Sequence, residues 1–121
     1  MKPTIVYGIG VEATIEVIGG KWKPIILCHL KHDTRRPSEL KRLMPTITQK
    51  MLTQQLRELE DSGVIDRTVY EQVPPKVEYS LSTYGRSLEP VLELLCTWGE
   101  EHIDRRKTQF NENIILEHTE L

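Results

Sequence analysis

Two cysteines in 121 residues are too few for a disulfide framework. Cys28 and Cys96 lie in apolar helical surroundings with no paired spacing, and unpaired thiols fit a reducing cytoplasm. Long apolar runs are missing too. None near Lys2 suits a signal peptide and none later spans a bilayer, so the chain is expected to be soluble, cytoplasmic and without a membrane partner. The motifs of enzyme chemistry are also absent. With no Gly-rich phosphate loop, no nucleophile elbow and no carboxylate pair beside a suitable acid, neither an enzyme nor a bound cofactor is expected. No internal repeat or low-complexity tract occurs.

What remains is ordinary globular composition, 38% hydrophobic and 28% charged, consistent with one domain over residues 1–121. The net charge of −2 hides an internal polarity. Residues 35–57 carry Arg35, Arg36, Lys41, Arg42, Lys50 and Arg57 against Glu39 alone, a local excess of +5. Residues 89–121 carry eight acids against Arg105, Arg106 and Lys107, a local excess of −5. A mildly acidic chain can still bind nucleic acid when its cations are gathered on the contacting face, because phosphate neutralisation acts locally.

The stretch from Thr46 to Gly63 reads as one helix with two jobs. Leu52, Leu56 and Leu59 recur at i, i+4 and i+7 and form a stripe that needs a core. Thr48 is placed as the N-cap, and Gly63 as the left-handed exit. The other face carries Gln49, Lys50, Thr53, Gln54 and Arg57, with no acid among them. Such side chains can meet base edges or phosphates: Gln pairs with adenine N6 and N7, and Arg or Lys with guanine O6 and N7. The plain alternative is a solvated helix face.

The surroundings favour the reading face. Residues 1–10, with Pro3, Gly8 and Gly10, form an N-terminal arm. A short amphipathic helix over Val11 to Ile18 ends at Gly19-Gly20, and a second begins near Trp22 to Pro24 and runs through Ile25, Ile26, Leu27, Cys28 and Leu30 as the core helix. A short helix from Ser38 to Leu43 stops before Pro45, with Ser38 placed to help cap it. Short helix, tight connection and longer polar-faced helix make a helix-turn-helix, whose second helix enters the major groove.

Beyond Gly63 the period becomes two. Val64 to Tyr70 and Val77 to Leu81 predict a β-hairpin tipped by Pro74-Pro75, a wing on which Pro75 and Lys76 would reach the minor groove or its phosphates while Tyr79 packs on the sheet. Arg35, Arg36, Ser38, Lys41 and Arg42 are candidates for phosphate contact or for solvated charge. From Ser82-Thr83 an apolar helix is expected to reach about Lys107, kinked or split at Pro90. Its stripe outlasts the core it could cover, so a second copy of the chain is its natural partner. Phe110, Ile114, Ile115 and Leu116 suggest a last short helix in the same interface. The expected class is therefore mainly α with a small antiparallel β-hairpin: a DNA-binding winged helix-turn-helix over 11–82 and dimerisation helices over 83–121.

Three segments carry a family resemblance: Val11 to Lys23 (VEATIEVIGGKWK), Ile47 to Leu59 (ITQKMLTQQLREL) and Val73 to Leu81 (VPPKVEYSL). In that order, within a similarity spanning about residues 9–100, they resemble the HxlR family of bacterial winged helix-turn-helix transcriptional regulators, relatives of the MarR group. The resemblance implies a homodimeric repressor or activator on a two-fold symmetric double-stranded DNA operator, with one recognition helix per subunit. The implied DNA contacts are Arg35, Arg36, Ser38, Thr48, Gln49, Lys50, Thr53, Gln54, Arg57, Pro75 and Lys76. Several members of the family sense electrophiles or oxidants through a cysteine just before the Val-Glu-Ala segment. This chain has Ile9 and Gly10 there, and neither supplies a thiolate.

Other readings remain open at this point. A winged-helix module could bind a protein and not DNA, and a thiol-responsive regulator would use Cys28 or Cys96, although an inert buried thiol is the commoner use of a cysteine in an apolar helix. A metal-responsive one would draw on Cys28, His29, His32 and Asp33, or on His102 and His118, but ligand spacing for a second half-site is lacking. A small-molecule effector could sit between subunits near Tyr7, Trp22 and Trp98, residues more often used for packing.

Overall fold

The computed structural model describes residues 1–118. Among them five helices and one two-stranded antiparallel sheet follow in the order α1 (Gly10–Ile18), α2 (Trp22–His29), α3 (Pro37–Leu43), α4 (Gln49–Asp61), β1 (Ile65–Tyr70), β2 (Lys76–Leu81) and α5 (Glu89–Gln109). The class expected from the sequence, a winged helix-turn-helix, is the class observed. No helix of the described residues is long and apolar enough to cross a membrane.

Helix α2 is central because its apolar residues run without a gap. Ile26, Leu27 and Cys28 are all buried, and the helix touches α3, α4 and α5. Leu40 from α3, Leu52, Leu56 and Leu59 from α4, Ile65 and Leu81 from the hairpin, and Leu92 from α5 complete one cluster. Burying one such side chain contributes about 1.5–3 kcal/mol, so this cluster and not helix propensity holds the short helices α2 and α3 in place.

The hairpin pairs Ile65 with Leu81 and Tyr70 with Lys76, so that the buried ends of both strands lie at the core and the tip projects away. A third backbone segment joins it. The Arg35 N–H donates to the Tyr79 carbonyl at 2.9 Å, and the Tyr79 N–H donates to the Arg35 carbonyl at 2.7 Å. The root of the wing is thereby tied to the chain just before α3.

A tight corner follows β2. The Ser82 hydroxyl donates to the Gly63 carbonyl at 2.6 Å and accepts from the Gly85 N–H at 2.8 Å, while the Ser82 N–H donates to the Val64 carbonyl at 3.0 Å. A Cβ on Gly85 would stand 1.9 Å from the Val64 carbonyl oxygen, backbone that cannot swing aside. Gly85→Ala should therefore destabilise the chain by about 1–3 kcal/mol, the usual cost of overpacking. Chemical denaturation at constant m-value measures it, and an unchanged midpoint would contradict the close approach.

Three sequence expectations are corrected. Ser38 is not the cap of α3. Arg36 is the N-cap, and the Glu39 carboxylate accepts the Arg36 backbone N–H at 2.7 Å, because Pro37 opens the helix and moves its start upstream. Pro90 does not sit inside a helix that began at Ser82. The segment splits as one of the two expected outcomes: a single 3-10 turn at Gly85–Leu88 is followed by α5, with Pro90 in its first turn where no N–H is needed.

The expected last helix is absent from residues 111–118, and its remainder, 119–121, lies outside the described residues. After Asn111, at φ +54°, the chain turns back. Arg106 holds Glu112, and His118 meets the ring of His29 edge-on at 6.0 Å. The cysteines are unbonded, as expected, but close together. They have no paired spacing in sequence, yet α2 and α5 bring Cys28 Sγ within 3.6 Å of Cys96 Sγ, both as free thiols.

The N-terminal arm is anchored at its inner end. Gly8 and Ile9 donate their N–H groups to Glu12, and the Tyr7 hydroxyl donates to Glu16 at 2.5 Å. That bond, together with the nearby negative charge, raises the Tyr7 phenol above its ordinary range.

Candidate nucleic-acid interface

Helix α4 is fixed from three sides. Thr48 Oγ1 accepts the Met51 N–H at 3.1 Å as the N-cap, Gly63 at φ +78° carries the chain out, and Leu52, Leu56 and Leu59 are buried against α2, α3 and β1. With that stripe inward, Gln49, Lys50, Thr53, Gln54 and Arg57 are all exposed on the opposite side. They line one shallow recess together with Glu58. Gln49 Nε2 donates to Thr53 Oγ1 at 3.4 Å, which orders the first turn of this face.

Glu58 changes the description of the face as free of acid. The sequence stripe stopped at Arg57, but one residue further the helix returns to the same recess. Its carboxylate is matched by Lys23 Nζ of α2 at 2.9 Å. The bond from Lys23, and after it one from Gln54, holds the Glu58 carboxyl below the usual carboxylate range. Glu58 is thus an anion at neutral pH with its charge compensated at one end of the face, and Lys50 and Arg57 keep the surface cationic.

The cations before α4 divide into two kinds. Arg36 and Arg42 are exposed on or beside α3, as is the neutral Ser38. Arg35 is committed elsewhere: its Nε donates to the His29 carbonyl at 3.1 Å, its Nη2 meets Asp33 at 3.4 Å, and its backbone holds Tyr79. Lys41 Nζ donates to the Pro45 carbonyl at 3.2 Å, bracing the turn into α4.

On the wing Pro75 is exposed at the tip. Lys76 is less free than its position in the sequence suggests. It opens β2, lies 3.3 Å from Glu78 and stands 4.9 Å above the ring of Tyr70. Arg67, which sequence reasoning passed over, is exposed on β1 opposite Tyr79. Strand alternation alone could not have found it: Arg67 shares a face with buried Ile65, and it is exposed because the hairpin beyond Ile65 projects away from the core.

The three aromatics named for an effector cavity between subunits are separately engaged within one chain. Trp22 packs against the core, Tyr7 is tied to Glu16, and Trp98 stacks on His102 at 5.2 Å with most of its surface exposed. A different cavity, about 460 Å³, lies between α2 and α5 and is walled on its third side by Leu116, Glu117 and His118. Among the described residues no group of three or more His, Cys, Asp or Glu converges in the manner of a metal site.

This geometry, a capped helix presenting polar side chains beside a hairpin, coincides with a match to known proteins. The family model described as HxlR-like helix-turn-helix matches residues 17–107. The chain belongs to that family. It is an HxlR-type helix-turn-helix transcriptional regulator, as its relatives are. The HTH-type transcriptional regulator YtcD of Bacillus subtilis strain 168 is 74% identical over 99 residues, covering 82% of this chain and 79% of that protein.

Solved structures agree with the HxlR assignment. A crystal structure of ytcD is 71% identical with a TM-score of 0.77, over 80% of this chain and 99% of that one. The redox regulator HypR in its oxidized form is 54% identical with a TM-score of 0.75, over 77% of this chain and 96% of that one. A MarR-family regulator from Porphyromonas gingivalis W83 is 32% identical with a TM-score of 0.75, over 83% of this chain and 98% of that one.

Proposed function

We propose that this regulator works in the cytoplasm as a homodimer on a two-fold symmetric double-stranded DNA operator, inserting one α4 per subunit into successive major grooves. The observation that carries this reading is the division of α4: its leucines are buried, while Gln49, Lys50, Thr53, Gln54 and Arg57 are exposed together on one face. Gln49, Gln54 and Arg57 take base edges. Thr48, Lys50, Thr53, Arg36, Ser38 and Arg42 position the duplex through phosphates. Pro75 brings the wing tip to the minor groove, with Arg67 as a wing cation beside the partly engaged Lys76. Arg35 serves by holding the wing to α3, and any phosphate contact of its own is secondary.

Dimerisation is supported by apolar surface that one chain leaves uncovered. Only Leu92 of α5 is buried, while Val91, Leu94, Leu95 and Trp98 are exposed, as are Ile5, Val6, Ile9, Val11 and Ile15 near the N-terminus. So many large apolar side chains left exposed on one helix and near the N-terminus point to an interface. A small-molecule effector that shifts α5 would change the spacing of the two α4 helices and hence the affinity. The test is recovery of genomic fragments that co-purify with the protein, followed by footprinting. The expected result is an inverted repeat whose half-sites are about 10–10.5 base pairs apart, centre to centre, or a multiple of that. Fragments with no shared sequence and no protected half-sites would overturn the reading.

A further inference from the structure

The two cysteines are 68 positions apart in sequence, and the fold places their sulfurs 3.6 Å apart in the wall of the cavity between α2 and α5. The rest of that wall is mostly apolar: Pro24, Ile25, Leu95, Ile103 and Leu116 contribute to it. Cys28 is buried in α2, and Cys96 is only partly covered. We propose that this cavity admits an organic hydroperoxide with an apolar substituent, and that Cys96 and Cys28 reduce it and become an intrachain disulfide. The proposal concerns an oxidant site and stands independently of the DNA contacts.

The order of events follows from accessibility. Burial first, and the neighbouring Cys96 second, push the Cys28 thiol up to about 12, so Cys28 is a poor first nucleophile. Both sulfurs line the cavity, and Cys96 is the more exposed of the two. It attacks the terminal peroxide oxygen; the O–O bond breaks, the alkoxide leaves and takes the Cys96 proton as an alcohol, and Cys96 becomes a sulfenic acid. Cys28 sulfur then attacks Cys96 sulfur. The S–O bond breaks, and water leaves with the hydroxyl group and the Cys28 proton. Overall two thiols lose two electrons and two protons, and the hydroperoxide is reduced to alcohol and water.

The second step needs little motion. A disulfide is about 2.05 Å long, so the sulfurs must close by roughly 1.5 Å, within reach of a side-chain rotation and a slight approach of α5 to α2. The bond would then join the helix packed behind α4 to the helix that carries the exposed apolar face. The apolar wall sets the substrate class, since a hydrophobic substituent gains by leaving water there and hydrogen peroxide has none.

Reduced full-length protein treated with a stoichiometric amount of cumene hydroperoxide tests this by intact mass and peptide mapping. The expected result is a loss of two hydrogens, one linked peptide pair containing Cys28 and Cys96, and reversal by dithiothreitol. Cumene hydroperoxide should react at least tenfold faster than hydrogen peroxide at equal concentration. Cys28→Ser should stop at a Cys96 sulfenic acid that dimedone traps, and Cys96→Ser should form no adduct. Peptide mapping of the unmodified sequence is decisive even if either variant folds poorly. Absence of the linked pair, a bond only between separate chains, or equal rates with the two peroxides would each overturn the proposal.

Discussion

Gln54→Ala and Arg57→Ala should each weaken binding to the operator by about 1–3 kcal/mol, roughly 5- to 150-fold, with the fold and the dimer unchanged. Both side chains are exposed, and neither contributes to the leucine stripe that holds α4, so truncation removes contacts to DNA without opening the core. The two losses should differ in kind. Gln54 can act only through hydrogen bonds, and its removal should relax preference at one base pair. Arg57 also carries charge, and its removal should reduce affinity for all duplexes as well. Fluorescence titration with the operator and with a scrambled duplex separates the two. If both variants bind as tightly as the parent, the reading face is assigned to the wrong side of α4. Arg35→Ala is the instructive contrast: the backbone pairing with Tyr79 survives the substitution, while the side-chain bonds to the His29 carbonyl and Asp33 are lost, so weaker binding in that variant would report a loosened segment between α2 and α3.

Leu94→Glu combined with Trp98→Glu should convert the dimer to single chains. The residues lie at i and i+4, so they share one stripe of α5, and both are about two-thirds exposed in the isolated chain at 70% and 67%. A stable interface buries about 1,200–2,000 Å² in total, and two carboxylates per subunit within such a patch carry a desolvation penalty of several kcal/mol. Sedimentation should report the mass of one chain, and operator affinity should fall at least a hundredfold because only one half-site is held at a time. Retention of the two-chain mass would place the interface elsewhere, with the apolar residues of the N-terminal arm and α1 as the next region to alter.

How much of this was legible in the sequence depended on whether the deciding contact was local. Helix α4 was legible almost to the residue: its cap, its leucine spacing and its terminal glycine all lie within the helix itself. The hairpin was legible from alternation and from Pro74-Pro75. The cysteine pair was not, because nothing within a few residues of Cys28 or Cys96 encodes the other. Nor was the backbone pairing of Arg35 with Tyr79, because the two residues lie far apart in sequence. Glu58 was missed for a simpler reason: a face drawn as a list of polar residues ended one position before the helix brought the acid back. The tail after Phe110 has the apolar residues of a helix, yet residues 111–118 take no regular secondary structure, and Leu116 instead walls the cavity against α2.

The central claim, that α4 and the cations on and beside α3 hold a DNA duplex in a dimer, is tested most directly by the salt dependence of binding to the operator. Each phosphate neutralised contributes a slope of about −0.9 in log affinity against log salt. With Lys50, Arg36 and Arg42 engaged in both subunits, the slope should be roughly −5. A slope near zero, or no binding at low salt, would contradict the account and leave this surface to a protein partner.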